Sequence, residues 1–213
     1  QLIQKKSNDY YGYLASQNPT HSFLTSTITP SINHSIHITK PDHLLVSDIH
    51  LIKALLLAQI NLTQYAHHEF TQSSFVGSKD NILQYAFMIS LIQDYHRLIT
   101  IGQALLKTNH PTIEQNLIGQ FAYPLAYKNE VNFYTKQLNL NPYLVWSLMR
   151  QESSFRPAVI SPAKAVGLMQ IIPETAHTIA FKLEEKNFHH EHLKNPAINI
   201  QFGTWYLKQR LDE

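Results

Sequence analysis

The sequence predicts an all-α fold: helical hairpins stacked as a superhelix (α-solenoid), then a second helical domain. Three observations predict it. Between residues 44 and 107 apolar side chains recur three and four positions apart, the period of a helix. Beyond residue 140, Asn and Pro pairs stand where helices open. Only short stretches near 28–39 alternate with the period of two that a strand requires. Hydrophobic residues make up 44% of 213 positions, enough to bury a core.

Each element follows from local chemistry. The opening "QLIQKKSNDYYGYLA" reads as the middle or end of a helix. Residues 17–43, with Pro19, Pro30, Pro41 and many Ser, Thr and His, read as a long connecting loop holding a short extended piece. Asp48 is placed to cap a helix running to about Gln59, and Asn61 to cap one running to about Phe75. "GSKD" at 77–80 is a break. Residues 81–107 supply two helices that meet near Asp94. These hairpins are roughly 30 residues long, the length of an α-solenoid unit. The next segment starts with Pro111 near a helix N-terminus and breaks at Pro124, which sets an expected boundary between 1–124 and 125–213. A helix over about Lys128 to Leu138 follows. Asn141-Pro142 opens one to about Ser153, Pro173 one to about Lys182, and Asn195-Pro196 one to the end. The closing "WYLKQRLDE" carries no stop signal, so the sequence predicts a piece of a longer chain.

Composition excludes several function classes. The net charge is +2 and the basic residues are scattered, which argues against nucleic acid. The absence of cysteine excludes disulfides, thiolate metal sites and cysteine nucleophiles. The greasiest run, Leu51 to Ile60, contains Lys53 and is about half the ~20 residues that a membrane span needs. The thirteen His residues include His189-His190-Glu191-His192, but no HExxH spacing occurs, so a solvated loop is expected there rather than a metal site. No G-x-S-x-G supports serine nucleophile chemistry. Trp146, Trp205 and Tyr206 are candidates for stacking on sugars. Trp205 and Tyr206 stand at helical spacing from Ile198 and Phe202, which assigns them to the core.

One segment carries chemistry. In "PYLVWSLMRQESSF" the residues Val145, Leu148 and Met149 share a face. Glu152, four after Leu148 and three after Met149, continues it. A carboxylate on an apolar stripe loses hydration when charged, which favours the neutral acid that a general acid requires. The alternative is a stripe that ends, with Glu152 facing solvent. Pro157, Ser161-Pro162 and Gly167 then prevent a long helix after Phe155, so the chain turns back toward Glu152. Gly167-Leu168-Met169-Gln170 re-enters a helical turn, with the Gln170 amide directed into the same space. Acid, hydroxyl and amide around one cleft suit a sugar.

"ESSF…S…GLMQIIPETA" resembles the lysozyme-like catalytic domain of the bacterial soluble lytic transglycosylases. "NPAINIQFGTWYL" resembles that family's next block. "FAYPLAYKNEVNFY" looks like the strip leading from its helical superstructure into the catalytic domain, and "YYGYLA" at 10–15 like a piece of that superstructure. The resemblance implies that 125–213 is a lysozyme-like domain lacking its C-terminal part, preceded by an α-superhelical linker region. Glu152 matches the family's only catalytic carboxylate. Ser161 matches a loop serine that contacts substrate, and Gln170 the glutamine at the floor of the glycan groove. Met169 and Ile172 lie where the family builds the groove wall, although core is the readier assignment for both; the family often has Met at the position of Ile172. The family's Ala-Tyr-Asn-Ala-Gly stretch, whose Tyr sits beside the acid, has no counterpart in this sequence.

The resemblance further implies cleavage of the β-1,4 bond between N-acetylmuramic acid and N-acetylglucosamine in peptidoglycan. Glu152 serves as single general acid and base, and a 1,6-anhydro ring closes in place of attack by water. It implies no cofactor, a periplasmic location and peptidoglycan strands as the partner. Most glycosidases use two carboxylates. The nearest downstream acid, Glu174, falls in the first turn of a helix, where the dipole explains it. Two other readings stand beside this one. A hydrolytic muramidase on the same fold needs a second acid or a held water. A catalytically silent glycan-binding or scaffold protein needs neither, and would use the solenoid as its working surface.

Overall fold

The computed structural model describes residues 48–60, 62–73, 82–108 and 115–213. The regular elements of the described residues are helices, and their extended pairing consists of two isolated antiparallel bridges, Ile160 with Val166 and Val166 with Ile171. No helix among them is long and apolar enough to cross a membrane. The expected loop at 17–43, its extended piece near 28–39, "YYGYLA", Asn61 and Pro111 lie outside the described residues.

The described chain divides into two compact units, one within 23–124 and one over 125–213. The first holds α1 (Ile49–Gln59), α2 (Thr63–Gln72), α3 (Ile82–Leu91), α4 (Tyr95–Thr108) and α5 (Gln115–Ala122). Asp48 caps α1 by accepting hydrogen bonds from the backbone N–H groups of His50 and Leu51. Asp94 does the same for Arg97 at the start of α4, so the expected meeting point of two helices is a cap. Helix α2 stops at Gln72, short of the expected Phe75. Ser73 turns extended there, and its hydroxyl donates to the Phe70 carbonyl at 2.7 Å, replacing the helical bond. Successive helices pack, α1 on α2, α3 on α4 and α4 on α5. Their core is built from Leu51, Phe70, Ile89, Ile92 and Ile118.

The second unit holds α6 (Lys128–Gln137), α7 (Pro142–Ser153), α8 (Pro173–Lys182), a 3₁₀ turn (His190–Lys194) and α9 (Pro196–Asp212). The Asn-Pro openings act as expected. Asn141 accepts from Tyr143 N, and Asn195 from the N–H groups of Ala197 and Ile198. Helix α9 packs against α6, α8 and the 3₁₀ turn, and α7 against α6. Val131, Val145, Met149, Leu168, Ile179, Ile200 and Phe202 fill the core. Trp146 belongs to it too, only 2% exposed, with its indole N–H donating to Ala126 O at 2.8 Å. Tyr206 is a correction to the sequence expectation. It is 39% exposed, with the Arg210 guanidinium 5.3 Å from its ring centre. Tyr206 follows buried Phe202 and Gly203 by four and three positions, so it continues that face, but the covered part of α9 ends at Thr204 and Tyr206 stands beyond it.

Candidate functional site

Helix α7 ends abruptly. Ser154 and Phe155 both take left-handed backbone conformations, at φ +49° and +60°, and the chain reverses before it reaches Pro157. Such conformations cost L-residues about 1–2 kcal/mol each, so tertiary contacts must hold them. Phe155 is buried, and the Arg156 guanidinium Nε–H donates to Ser153 O at 2.9 Å, closing the helix end. The returning loop is zipped by backbone bonds, Ser161 N to Ala165 O and Gly167 N to Val159 O, both at 2.9 Å. Gly167 follows at φ +83° and opens the turn Gly167–Gln170.

That turn is seated on two helices. The Ser153 hydroxyl lies 2.9 Å from Leu168 O and 3.0 Å from Met149 O, tying the last residue of α7 to the turn. From α9, the Asn199 carboxamide accepts from Met169 N at 2.8 Å. It donates to Val166 O at 2.9 Å and to Leu193 O at 2.8 Å. Four residues on, Gly203 leaves room for Met169. A Cβ there would stand 2.2 Å from Met169 Sδ and 2.8 Å from Met169 Cβ.

Glu152 is exposed, against the expectation of a carboxylate held dry on an apolar stripe. The buried residues of α7 are Val145, Trp146, Met149 and Ser153. At about 100° per residue, Glu152 lies roughly 75° off the centre of that stripe. The apolar spacing that includes Leu148 therefore runs along the margin of the buried face. No ion pair holds Glu152 among the described residues. It also stands in the last turn of α7, where the helix dipole does not favour a carboxylate. Five of the other seven acids of this unit stand in a helix first turn or an ion pair, Glu184 and Glu185 being the exceptions. Glu130 and Glu174 stand in first turns, and Glu191, Asp212 and Glu213 pair with Lys194, Lys208 and Arg210. The Lys194 ammonium holds the Glu191 carboxyl below its usual range. Glu130 and Glu185 face Tyr134, whose hydroxyl is pushed up by burial first and by those two charges second.

The remaining candidates fall around the same loop. Ser161 is half-buried, and its Oγ accepts from Ala165 N at 3.1 Å, which leaves the hydroxyl hydrogen for another partner. Gln170 is left-handed at φ +49° and folds its side chain back. Nε2 donates to Gly167 O at 2.9 Å and to Val159 O at 3.3 Å. Both partners are carbonyls, so the nitrogen must face them, and Oε1 is the atom left over to accept. Met169 takes the core position that stood as the alternative to a wall contact. At 7% exposure and packed on Gly203, it is core under the turn and not a wall open to ligand. Ile172 is 39% exposed at the N-cap of α8. The His189–His192 segment is the 3₁₀ turn itself, where His189 N donates to His192 Nδ1 at 3.3 Å. Among the described residues no group of three His, Cys, Asp or Glu side chains is arranged to hold a metal. Sequence reasoning assigned no role to Ser153, Asn199 or Gly203, which together seat the turn. Their signal was present in "ESSF" and in "NIQFG", where small and polar residues interrupt apolar helix faces.

Residues 129–213 match the family model of the transglycosylase SLT domain. The matched stretch is about two fifths of the chain, at its C-terminal end. The chain is 39% identical over 88 residues to the soluble lytic murein transglycosylase of Salmonella typhimurium, covering 40% of this chain and 14% of that protein. It is 46% identical over 66 residues to the membrane-bound lytic murein transglycosylase C of Histophilus somni, covering 30% and 18%. The chain thus spans well under a quarter of these relatives' lengths. In three dimensions it is similar to the 70 kDa soluble lytic transglycosylase of Escherichia coli. The TM-score is 0.54 at 26% identity, over 78% of this chain and 26% of that one. The fold also matches an inactive mutant of the lytic transglycosylase Slt of Pseudomonas aeruginosa, with a TM-score of 0.52 at 21% identity, over 98% and 32%. The all-α, lysozyme-like expectation agrees with these likenesses.

Proposed function

We propose that this chain is part of a peptidoglycan lytic transglycosylase in which 125–213 is the catalytic region and 1–124 an α-superhelical linker region. The reaction is cleavage of the bond between N-acetylmuramic acid and N-acetylglucosamine, with formation of 1,6-anhydro-N-acetylmuramic acid. The observation that carries this reading is the link between Ser153 Oγ and Leu168 O. It joins the helix end bearing an unpaired Glu152 to the turn bearing Gln170, inside a transglycosylase SLT domain. Relatives named as soluble and membrane-bound murein transglycosylases support the substrate class, as does a solved complex of the 70 kDa enzyme with bulgecin A. The same relatives support a periplasmic location.

In this reading the protonated Glu152 gives its proton to the leaving glycosidic oxygen while the substrate's acetamido oxygen stabilises the developing charge at C1. The carboxylate then takes the proton of the muramic 6-hydroxyl, whose oxygen closes on C1. One carboxylate serves both steps, where water-using glycosidases employ two. An exposed acid becomes shielded only when the glycan covers it, so the dry surroundings that favour the neutral form come from the substrate. Ser161 donates to the glycan, Gln170 accepts from one of its N–H or O–H groups, and Ile172 offers apolar contact at the rim.

The test is mass spectrometry of digested peptidoglycan, comparing the native chain with Glu152→Gln. General acid catalysis contributes about 10²- to 10⁴-fold, so the variant should lose at least about a hundredfold in anhydro-muropeptide yield. Products with reducing ends would identify a hydrolase instead. If the native chain and Glu152→Gln bind glycan equally and neither releases product, the protein is a glycan-binding scaffold.

A further inference from the structure

We infer that Asn199 is a positioning residue for the proposed reaction, acting by fixing the left-handed conformation of Gln170. The inference rests on the functional reading above. Its basis is geometric. Two backbone pairings between Val166 and Ile171 close the base of the turn, at 3.0 and 3.1 Å. They do not reach its tip. At the tip, Leu168 O is held by Ser153 from α7 and Met169 N by Asn199 from α9. Asn199 is 1% exposed, and all three of its side-chain hydrogen bonds go to backbone groups at least six residues away in sequence.

The fit is close as well as polar. A Cβ on Gly167 would stand 2.2 Å from Asn199 Nδ2, so the carboxamide fills the space that the glycine leaves. Gln170, next after the held Met169 N–H, has no glycine to excuse its positive φ. A strained conformation of that kind persists only where its surroundings over-determine it. Removing the carboxamide frees Met169 N and takes one of two donors from Val166 O, which keeps the Ile171 N–H. Gln170 can then relax to right-handed φ, which swings its side chain off Gly167 O and Val159 O. Asn199 also holds Leu193 O, so the same side chain registers the 3₁₀ turn against the groove.

The experiment uses the full chain with Asn199→Ala, and Asn199→Ser where Ala does not fold. Ile200→Ala, buried on the same helix with a side chain that makes no hydrogen bond, serves as the control. With soluble glycan strands as substrate and all variants folded, Asn199→Ala should lower kcat about 10- to 100-fold with KM within threefold, the size of effect expected from misplaced positioning groups. Ile200→Ala should keep kcat within threefold. Asn199→Ala combined with Gln170→Ala should be no slower than the worse single variant, because the two act as a unit. An NMR measurement reads the turn without activity. The Gln170 HN–Hα coupling and Cβ shift should leave left-handed values in Asn199→Ala and stay in Ile200→Ala. Unchanged Gln170 signals in Asn199→Ala, or additive losses in the double variant, would overturn the inference. A native chain that cleaves nothing refutes the functional reading, while the NMR arm still decides whether Asn199 sets the turn.

Discussion

Replacing Gly167 with Ala should cost the C-terminal unit about 3 to 5 kcal/mol. Gly167 sits at φ +83°, where an L-residue pays roughly 1–2 kcal/mol. The new Cβ would stand 2.2 Å from Asn199 Nδ2, 2.6 Å from Leu193 O and 2.8 Å from Asn199 Cγ. Leu193 O is backbone and cannot swing aside, so Asn199 must yield. Overpacking of this kind costs about 1–3 kcal/mol. Displacing the carboxamide weakens hydrogen bonds worth about 1 kcal/mol each. Both tryptophans of the chain, Trp146 and Trp205, lie in 125–213, so intrinsic fluorescence follows this unit alone. With a urea slope near 2 kcal/mol/M, the midpoint should fall by about 1.5–2.5 M. A shift below about 0.5 M with an unchanged slope would show that the turn is not locked against α9, and the seating argument would fail with it.

Ser153→Ala leaves Leu168 O buried without its side-chain donor, and should lower the same fluorescence midpoint by the equivalent of about 1–2 kcal/mol; a change under about 0.3 kcal/mol contradicts the assigned link. In the N-terminal unit, burial first and the Arg97 charge second hold the His67 imidazole below its usual value, with Asp94 opposing them. The unfolded chain therefore binds this proton more readily. Stability from His67 is present above the unfolded value near 6.5 and is lost as pH falls toward its lowered folded value. Helical ellipticity in urea should show the native chain weakening from pH 7 to pH 5 more than His67→Gln does. Equal slopes for the two would exclude this group as the source.

Helix starts were legible because caps are local chemistry. Asp48, Asn141 and Asn195 each accept backbone N–H groups two or three residues onward, and no distant partner is needed. The end of α2 was less legible, since Ser73 ends it through its own hydroxyl and not through glycine or proline. The face of Glu152 was misjudged because spacings of three and four describe two neighbouring stripes equally well. Burial chose the one through Trp146 and Ser153, where the Ser153 hydroxyl meets Leu168 O, fifteen residues on. Asn199 was opaque for the same reason. Its three bonds reach loops up to 33 residues away, and an Asn on a helix looks like surface until those loops arrive. The left-handed Gln170 carries no glycine to announce it.

The indole bond of Trp146 bears on where this domain can be cut. Similarity to the SLT family begins at residue 129, which invites an expression boundary there. Ala126 is fully buried and Tyr127 nearly so, and Ala126 O is the acceptor for the Trp146 N–H. A fragment starting at 129 discards both side chains and strands an indole donor inside the core. Starting at 125 or earlier keeps the first rung of the domain, which lies outside the stretch that family resemblance recognises.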